Sequence, residues 1–187
     1  AIHGFTVQNR TADTDPVNIG QVYYRSDTGD MKVTLNVLGT GSWASGGNLP
    51  AVRNARPAGA GTQNAALVFG GGPGNGEKGF SYDGSSWSET GNLNTARESL
   101  SASQNATAEA CIVFGGNTAT AVTAVAETFN GTSWTEVGDM NTARKKSGGF
   151  GTATSAIVAG GNTDTAVNNV ESWNGNSWTE IAESGAK

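Results

Sequence analysis

Residues able to perform acid–base, nucleophilic or metal chemistry are few in this 187-residue chain, which holds one histidine and one cysteine. His3 lies in the polar stretch AIHGFTVQNRTADTDPVN. A Ser/His/Asp triad or a zinc site needs imidazole or thiolate groups converging from several elements, so no catalysis, metal or cofactor is expected. Cys111 sits in the apolar run CIVF and is expected to be a buried, inert thiol without a disulfide partner. Gly74-Asn75-Gly76-Glu77-Lys78-Gly79 matches a dinucleotide fingerprint by letter. It lies between two short strand-like runs, with no helix N-terminus to receive a pyrophosphate, and reads as a loop. A net charge of -5 speaks against nucleic acid or an anionic membrane as partner. Lys145-Lys146, beside a turn, reads as solvated. The sequons headed by Asn9, Asn105 and Asn130 matter only in a eukaryotic secretory setting that nothing else supports. No stretch approaches the roughly 20 apolar residues of a membrane span. The chain opens on Ala1 and closes on ESGAK, and is expected to be a processed or partial product.

The elements that position the remaining residues are set by an internal repeat, which governs the fold wherever it occurs. Three glycine pairs follow apolar runs: Gly70-Gly71 after ALVF, Gly115-Gly116 after CIVF and Gly160-Gly161 after AIVA, at a spacing of 45 residues. Downstream recur YDGSSW, FNGTSW and WNGNSW, ending in Trp87, Trp134 and Trp178. Linkers ending in arginine complete the pattern: GNLPAVR at Arg53, GNLNTAR at Arg97 and GDMNTAR at Arg144. The apolar runs are too short for helices and suit buried strands. The glycine pairs supply positive φ and close backbone approach. Asp83-Gly84, Asn130-Gly131 and Asn174-Gly175 are expected to form two-residue type I′ hairpins between a third and a fourth strand. ESLSASQ and KSGGFGT are expected to supply first strands.

An apolar run, a double glycine, an aromatic and then a tryptophan resemble the kelch repeat over roughly residues 41 to 182. That resemblance implies an all-β fold of kelch-like β-propeller blades, with three full four-stranded repeats at about 53–92, 97–139 and 144–182. Ahead of them, residues 1–18 read as an extended arm. Residues 19–40 read as a β-hairpin or partial blade (QVYYR, a turn at Asp27-Thr28-Gly29, then MKVTLNV), and Trp43 stands one period before Trp87 as the fourth-strand tryptophan of an incomplete unit. Residues 41–187 form the repeat domain. Three blades leave a ring open, since closed propellers have roughly four to eight. Closure is expected from the partial blade, from oligomerisation or from missing repeats.

The G-Q-V-Y-Y hairpin followed by a G-S-W step is similar to a module of bacteriophage tail fibres. The repeats are similar to those of tail-associated proteins of marine phages. Together these resemblances imply a non-enzymatic virion structural protein, tail- or fibre-associated and located on the virion. Its implied partners are other virion proteins, a second copy of itself and possible host-surface glycans or proteins, with neither nucleic acid nor membrane insertion. The alternative is a bacterial kelch-type protein- or glycan-binding module.

Within the repeat, Trp87, Trp134 and Trp178 are expected in the core between neighbouring sheets rather than on a sugar-stacking platform. Glu127 and Glu171 each stand four residues before a turn glycine, while Arg97 and Arg144 open the same repeats. Recurrence in a charge-poor chain predicts structural ion pairs, Arg97 with Glu127 and Arg144 with Glu171. In the first copy Phe80 replaces the glutamate, and Pro50-Ala51-Val52 replaces Asn-Thr-Ala, so that salt bridge is not expected for Arg53. Contacts with other molecules are expected from the variable loops 72–79, 117–124 and 162–169, with Gly74, Asn75, Lys78, Asn117, Thr118, Asn162 and Asp164 as candidates.

Overall fold

The computed structural model describes residues 8–10, 22–33, 45–72 and 76–181. The chain divides into two compact units, Ala1–Ser45 and Gly46–Lys187. All regular structure among the described residues is β.

The first unit holds a three-stranded sheet in the order β1 (Gln8–Arg10), β2 (Val22–Arg25), β3 (Asp30–Val33). The expected hairpin is β2–β3, antiparallel, with Gly29 at φ 74° closing the turn. Gln8–Arg10 departs from the reading of the arm as unpatterned. Its backbone pairs in parallel with Tyr23–Arg25, and main-chain hydrogen bonding of that kind requires no apolar alternation in the added strand.

The second unit holds three four-stranded antiparallel sheets. Sheet 1 contains β4 (Ala58–Thr62), β5 (Ala65–Phe69), β6 (Gly79–Tyr82) and β7 (Trp87–Thr90). Sheet 2 contains β8 (Ser101–Ala102), β9 (Cys111–Phe114), β10 (Ala126–Phe129) and β11 (Trp134–Val137). Sheet 3 contains β12 (Gly148–Gly151), β13 (Ala156–Ala159), β14 (Val170–Trp173) and β15 (Trp178–Glu180). In each sheet the strands follow chain order. Strand β8 is short, but its ladder continues through Ser103, whose amide donates to the Ile112 carbonyl at 3.0 Å and whose hydroxyl accepts the Ile112 amide at 3.1 Å.

Alternation along the strands gives every sheet a leading face, turned toward the next repeat, and a trailing face, turned toward the previous one. Leu67 and Phe69 on the leading face of sheet 1 cluster with Cys111, Val113, Phe129 and Trp134 on the trailing face of sheet 2. Ile112, Phe114 and Ala126 on the leading face of sheet 2 cluster with Ala156, Val158, Trp173 and Trp178 of sheet 3. The first strands β4, β8 and β12 lie side by side, β8 touching both neighbours. Gly149 permits this approach, because a Cβ there would collide with the Ala102 carbonyl.

The Asx-Gly turns differ from the two-residue hairpins expected. The last paired residues are Tyr82 with Trp87, Phe129 with Trp134 and Trp173 with Trp178, leaving four-residue loops. Only the glycine has positive φ, 92°, 92° and 93° in the three copies, whereas type I′ requires it at both central residues. The Asx side chain explains the change. Asp83 Oδ1 accepts the amides of Ser85 and Ser86, both at 2.8 Å, and Asn130 and Asn174 do the same in their loops. Those bonds hold the Asp83 carboxyl below its usual range, the Ser86 amide foremost.

Candidate functional site

The buried charges form two copies of one arrangement. Arg97 Nη2 donates to Glu127 Oε1 at 2.7 Å, and Arg144 Nη2 to Glu171 Oε1 at 2.6 Å. All four side chains are shielded from solvent, with exposures of 1% or less, so these charges do not face water. Each arginine also donates through Nη1 to two carbonyls, Gly115 and Val125 for Arg97, Gly160 and Asn169 for Arg144. Burial lowers the pKa of the Arg97 guanidinium, and the Glu127 carboxylate works against that shift.

The asparagine and threonine of the NTAR linkers complete the site, a role that the sequence reading did not assign them. Glu127 Oε2 accepts from the amide and side chain of Asn94 at 2.7 and 2.9 Å, and Oε1 from the Thr95 amide at 3.2 Å. Asn141 and Thr142 serve Glu171 identically. Asn94 and Asn141 additionally donate to the Trp134 and Trp178 carbonyls. The result is a clamp joining the linker to the third and fourth strands of the sheet it introduces, with both carboxylate oxygens satisfied. A buried ion pair is sustained only when hydrogen bonds meet its remaining donors and acceptors. The signal was present in the sequence, because the copy that lacks Asn-Thr also lacks the glutamate.

In that first copy, the Arg53 guanidinium lies over the Phe80 ring, 4.9 Å from its centroid, and Nη2 donates to the Lys78 carbonyl at 3.2 Å. A cation–π contact to Phe80 therefore stands at the strand position where the later repeats place the glutamate. Pro50, which carries no amide hydrogen, occupies the place of Asn94 and Asn141.

The first two glycine pairs sit where successive repeats meet. The Gly71 amide donates to the Arg97 carbonyl at 3.0 Å, and the Gly116 amide to the Arg144 carbonyl at 2.8 Å. Gly116 adopts φ 105°, and a Cβ there would lie 2.8 Å from the Glu98 carbonyl oxygen. Gly70, Gly115, Gly160 and Gly161 likewise have positive φ.

Trp134 and Trp178 are buried, each meeting a phenylalanine of the preceding sheet edge-on: Trp134 on Phe69 at 5.1 Å and Trp178 on Phe114 at 5.0 Å. Trp87 corrects the expectation. It is only half-buried, because sheet 1 is the first sheet of its unit and no phenylalanine among the described residues of that unit meets it edge-on. Its contacts are Tyr82 at 4.9 Å and an indole hydrogen bond to the Gly47 carbonyl. Trp43, Gly74 and Asn75 lie outside the described residues.

Some of the candidate loop residues converge. A cleft of about 390 Å³ lies between the β5–β6 and β9–β10 connections, lined among others by Gly76, Glu77, Glu98, Asn117 and Thr118. Asn117 and Thr118 are held by local bonds. The Asn117 side chain donates to the Thr118 carbonyl at 2.8 Å, and Thr118 Oγ1 accepts the Ala121 amide at 3.1 Å. Lys78 is not part of this lining, and its ammonium pairs with Glu89 at 2.8 Å. Asn162 and Asp164 belong to the third sheet's loop, away from the cleft lining, where Asn162 Oδ1 accepts the Asp164 amide. Cys111 is fully buried and its thiol is pushed up to about 12 by burial.

No known protein family matches the chain, and no curated protein does. Among solved structures, the chain is similar to the one described as "Structure of YjhT", at 15% identity and a TM-score of 0.59. The match covers 71% of this chain and 52% of that one, so the chain spans about half the length of that neighbour. The likeness is one of fold.

Proposed function

We propose that this protein is a non-enzymatic bacteriophage virion protein, tail- or fibre-associated, whose kelch-like propeller blades pack in a symmetric assembly and present loops to the host surface. One observation carries the reading. The buried charged side chains among the described residues are Arg97, Glu127, Arg144 and Glu171, and all four are spent inside clamps that fasten one repeat to its linker. Groups so enclosed cannot meet a substrate. They make a scaffold that carries the connecting loops. The fibre-like order of the N-terminal hairpin and the repeats supports placement on a virion, assembled in the host cytoplasm. Peptide mass spectrometry of purified virions from the encoding phage is expected to recover this chain at stoichiometric abundance, and its absence there would discard the virion reading.

The cleft favours a second reading, a kelch-type protein- or glycan-binding module of a bacterium. Two carboxylates, an amide and a hydroxyl around one opening suit a neutral, hydroxyl-rich ligand. Glycan-array binding lost on Glu98→Ala would support it.

A further inference from the structure

The two sheet-to-sheet contacts of the repeat unit leave two faces over. Both contacts join a leading face to a trailing face, so among the described residues of this unit the leading face of sheet 3 and the trailing face of sheet 1 meet no further sheet. On the leading face of sheet 3, Phe150 is 54% exposed and Ile157 40%. These residues are cross-strand partners, so they form one patch. The equivalents of Ile157 by the glycine-pair spacing are Leu67 and Ile112, exposed by 1% and 0% because the next sheet covers them. On the trailing face of sheet 1, Ala66, Val68, Tyr82 and Trp87 are half-buried. Their equivalents Cys111, Val113, Phe129 and Trp134 are buried under the preceding sheet.

We propose that the leading face of sheet 3 docks onto the trailing face of sheet 1 in a second copy of this chain, head to tail. The occupant is argued from continuity, since the same pair of faces already meets twice within the molecule. The phenyl group that receives the tryptophan is also retained. Position 159 is alanine where Phe69 and Phe114 stand, but the Phe150 ring lies back over Gly148, where an added Cβ would be 3.2 Å from Phe150 Cε2. Gly148 is the strand partner of Ala159, so a phenyl still occupies this part of the face, ready for Trp87 of the second copy. Two arrays bring roughly six sheets together, within the four-to-eight range of closed propellers. A head-to-tail contact that closes makes a ring rather than a filament. This inference rests on the blade reading above, and not on the virion reading.

Sedimentation velocity of the full chain tests it. The wild type is expected at twice the monomer mass. Ile157→Glu and Ala66→Glu, each on a different face, are expected to halve that mass while keeping the wild-type circular dichroism. An equimolar mixture of the two variants retains one intact leading face and one intact trailing face, and is expected to regain the two-copy species. A monomeric wild type overturns the proposal, as does a dimer indifferent to Ile157→Glu, or a mixture that stays monomeric. An Ile157→Glu chain that unfolds shows the face to be covered within the chain, and also overturns it. A dimer from a chain absent in virions sinks the virion reading alone. A monomer from a chain present in virions sinks this inference alone.

Discussion

Arg53 and Arg97 end equivalent linkers one repeat apart, yet they are held by different physics. Arg97 is sealed against a carboxylate that also receives the Asn94 and Thr95 amides. Arg53 lies over a phenyl ring in a partly exposed setting. The difference comes from three linked changes in the first copy, Pro50 for asparagine, Ala51 for threonine and Phe80 for glutamate. A buried carboxylate needs its donors, and a linker without those donors is better served by an aromatic ring. The clamp is therefore a unit, whole in two copies, while the first copy keeps only its arginine.

The largest expected effect separates these two arginines. Arg97→Ala leaves Glu127 buried and uncompensated and should lower the unfolding free energy by about 3–5 kcal/mol. Arg53→Ala forfeits a cation–π contact and the bond to the Lys78 carbonyl, but strands no buried carboxylate among the described residues, and should cost less, about 1–2 kcal/mol. Urea titration of both variants checks this, and equal losses would erase the distinction. Arg97→Met with Glu127→Leu is expected to cost less than either single change.

The tryptophans make the same comparison through packing. Trp134→Ala removes an indole from between two sheets and is expected to cost about 3–5 kcal/mol. Trp87→Ala, where the indole is only half-buried, should cost markedly less at a dilution where the chain is monomeric. Thermal unfolding of the two variants side by side decides it.

Grafting sharpens the point. Phe80→Glu alone places a carboxylate in the first repeat without its donors and should destabilise it, by about 1–3 kcal/mol. Adding Pro50→Asn and Ala51→Thr restores the donor set and should recover most of that loss. A triple variant no better than the single would show that the clamp depends on something besides these residues.

Cys111 gives a pH test of the interface between sheets 1 and 2. Burial raises its thiol from 9.0 to about 12. Between those values the unfolded chain loses the proton while the folded chain keeps it. Stability is thus full below pH 9 and declines as pH rises toward 12, with a slope of up to about 1.4 kcal/mol per pH unit. Cys111→Ala should flatten this decline in urea titrations at successive pH values. The smallest effect belongs to Asp83→Asn, since Asn130 and Asn174 already make the same turn bonds, and its thermal midpoint at neutral pH should stay near wild type.

These contrasts also mark what the sequence could disclose. The strands, the glycine pairs and the partnership of Arg97 with Glu127 were legible because each recurs at one period, and recurrence separates a structural charge from a solvated one. The exposure of Trp87 was not legible. Its letters match those of Trp134, and burial depends on a neighbour rather than on the residue. The four-residue hairpin loops were missed because Asp83 and Asn130 use their side chains to bond the loop amides, which backbone preference alone does not reveal. Asn94 and Asn141 were within reach, because their absence in one linker coincides with Phe80 some thirty residues on.

One property of the clamp extends past the folded chain. Every group in the second copy, from Asn94 to Trp134, falls inside a single repeat, and so does every group in the third, from Asn141 to Trp178. Such a cassette can be copied or lost by unequal recombination without breaking any buried charge pair, since each length of gene carries both partners. Point drift faces the opposite constraint. A change in asparagine, arginine or glutamate strands the remaining members, so the motif is expected to decay in correlated steps. The first repeat, with proline, alanine and phenylalanine at three linked positions and the arginine kept as Arg53, has the form that such correlated change leaves.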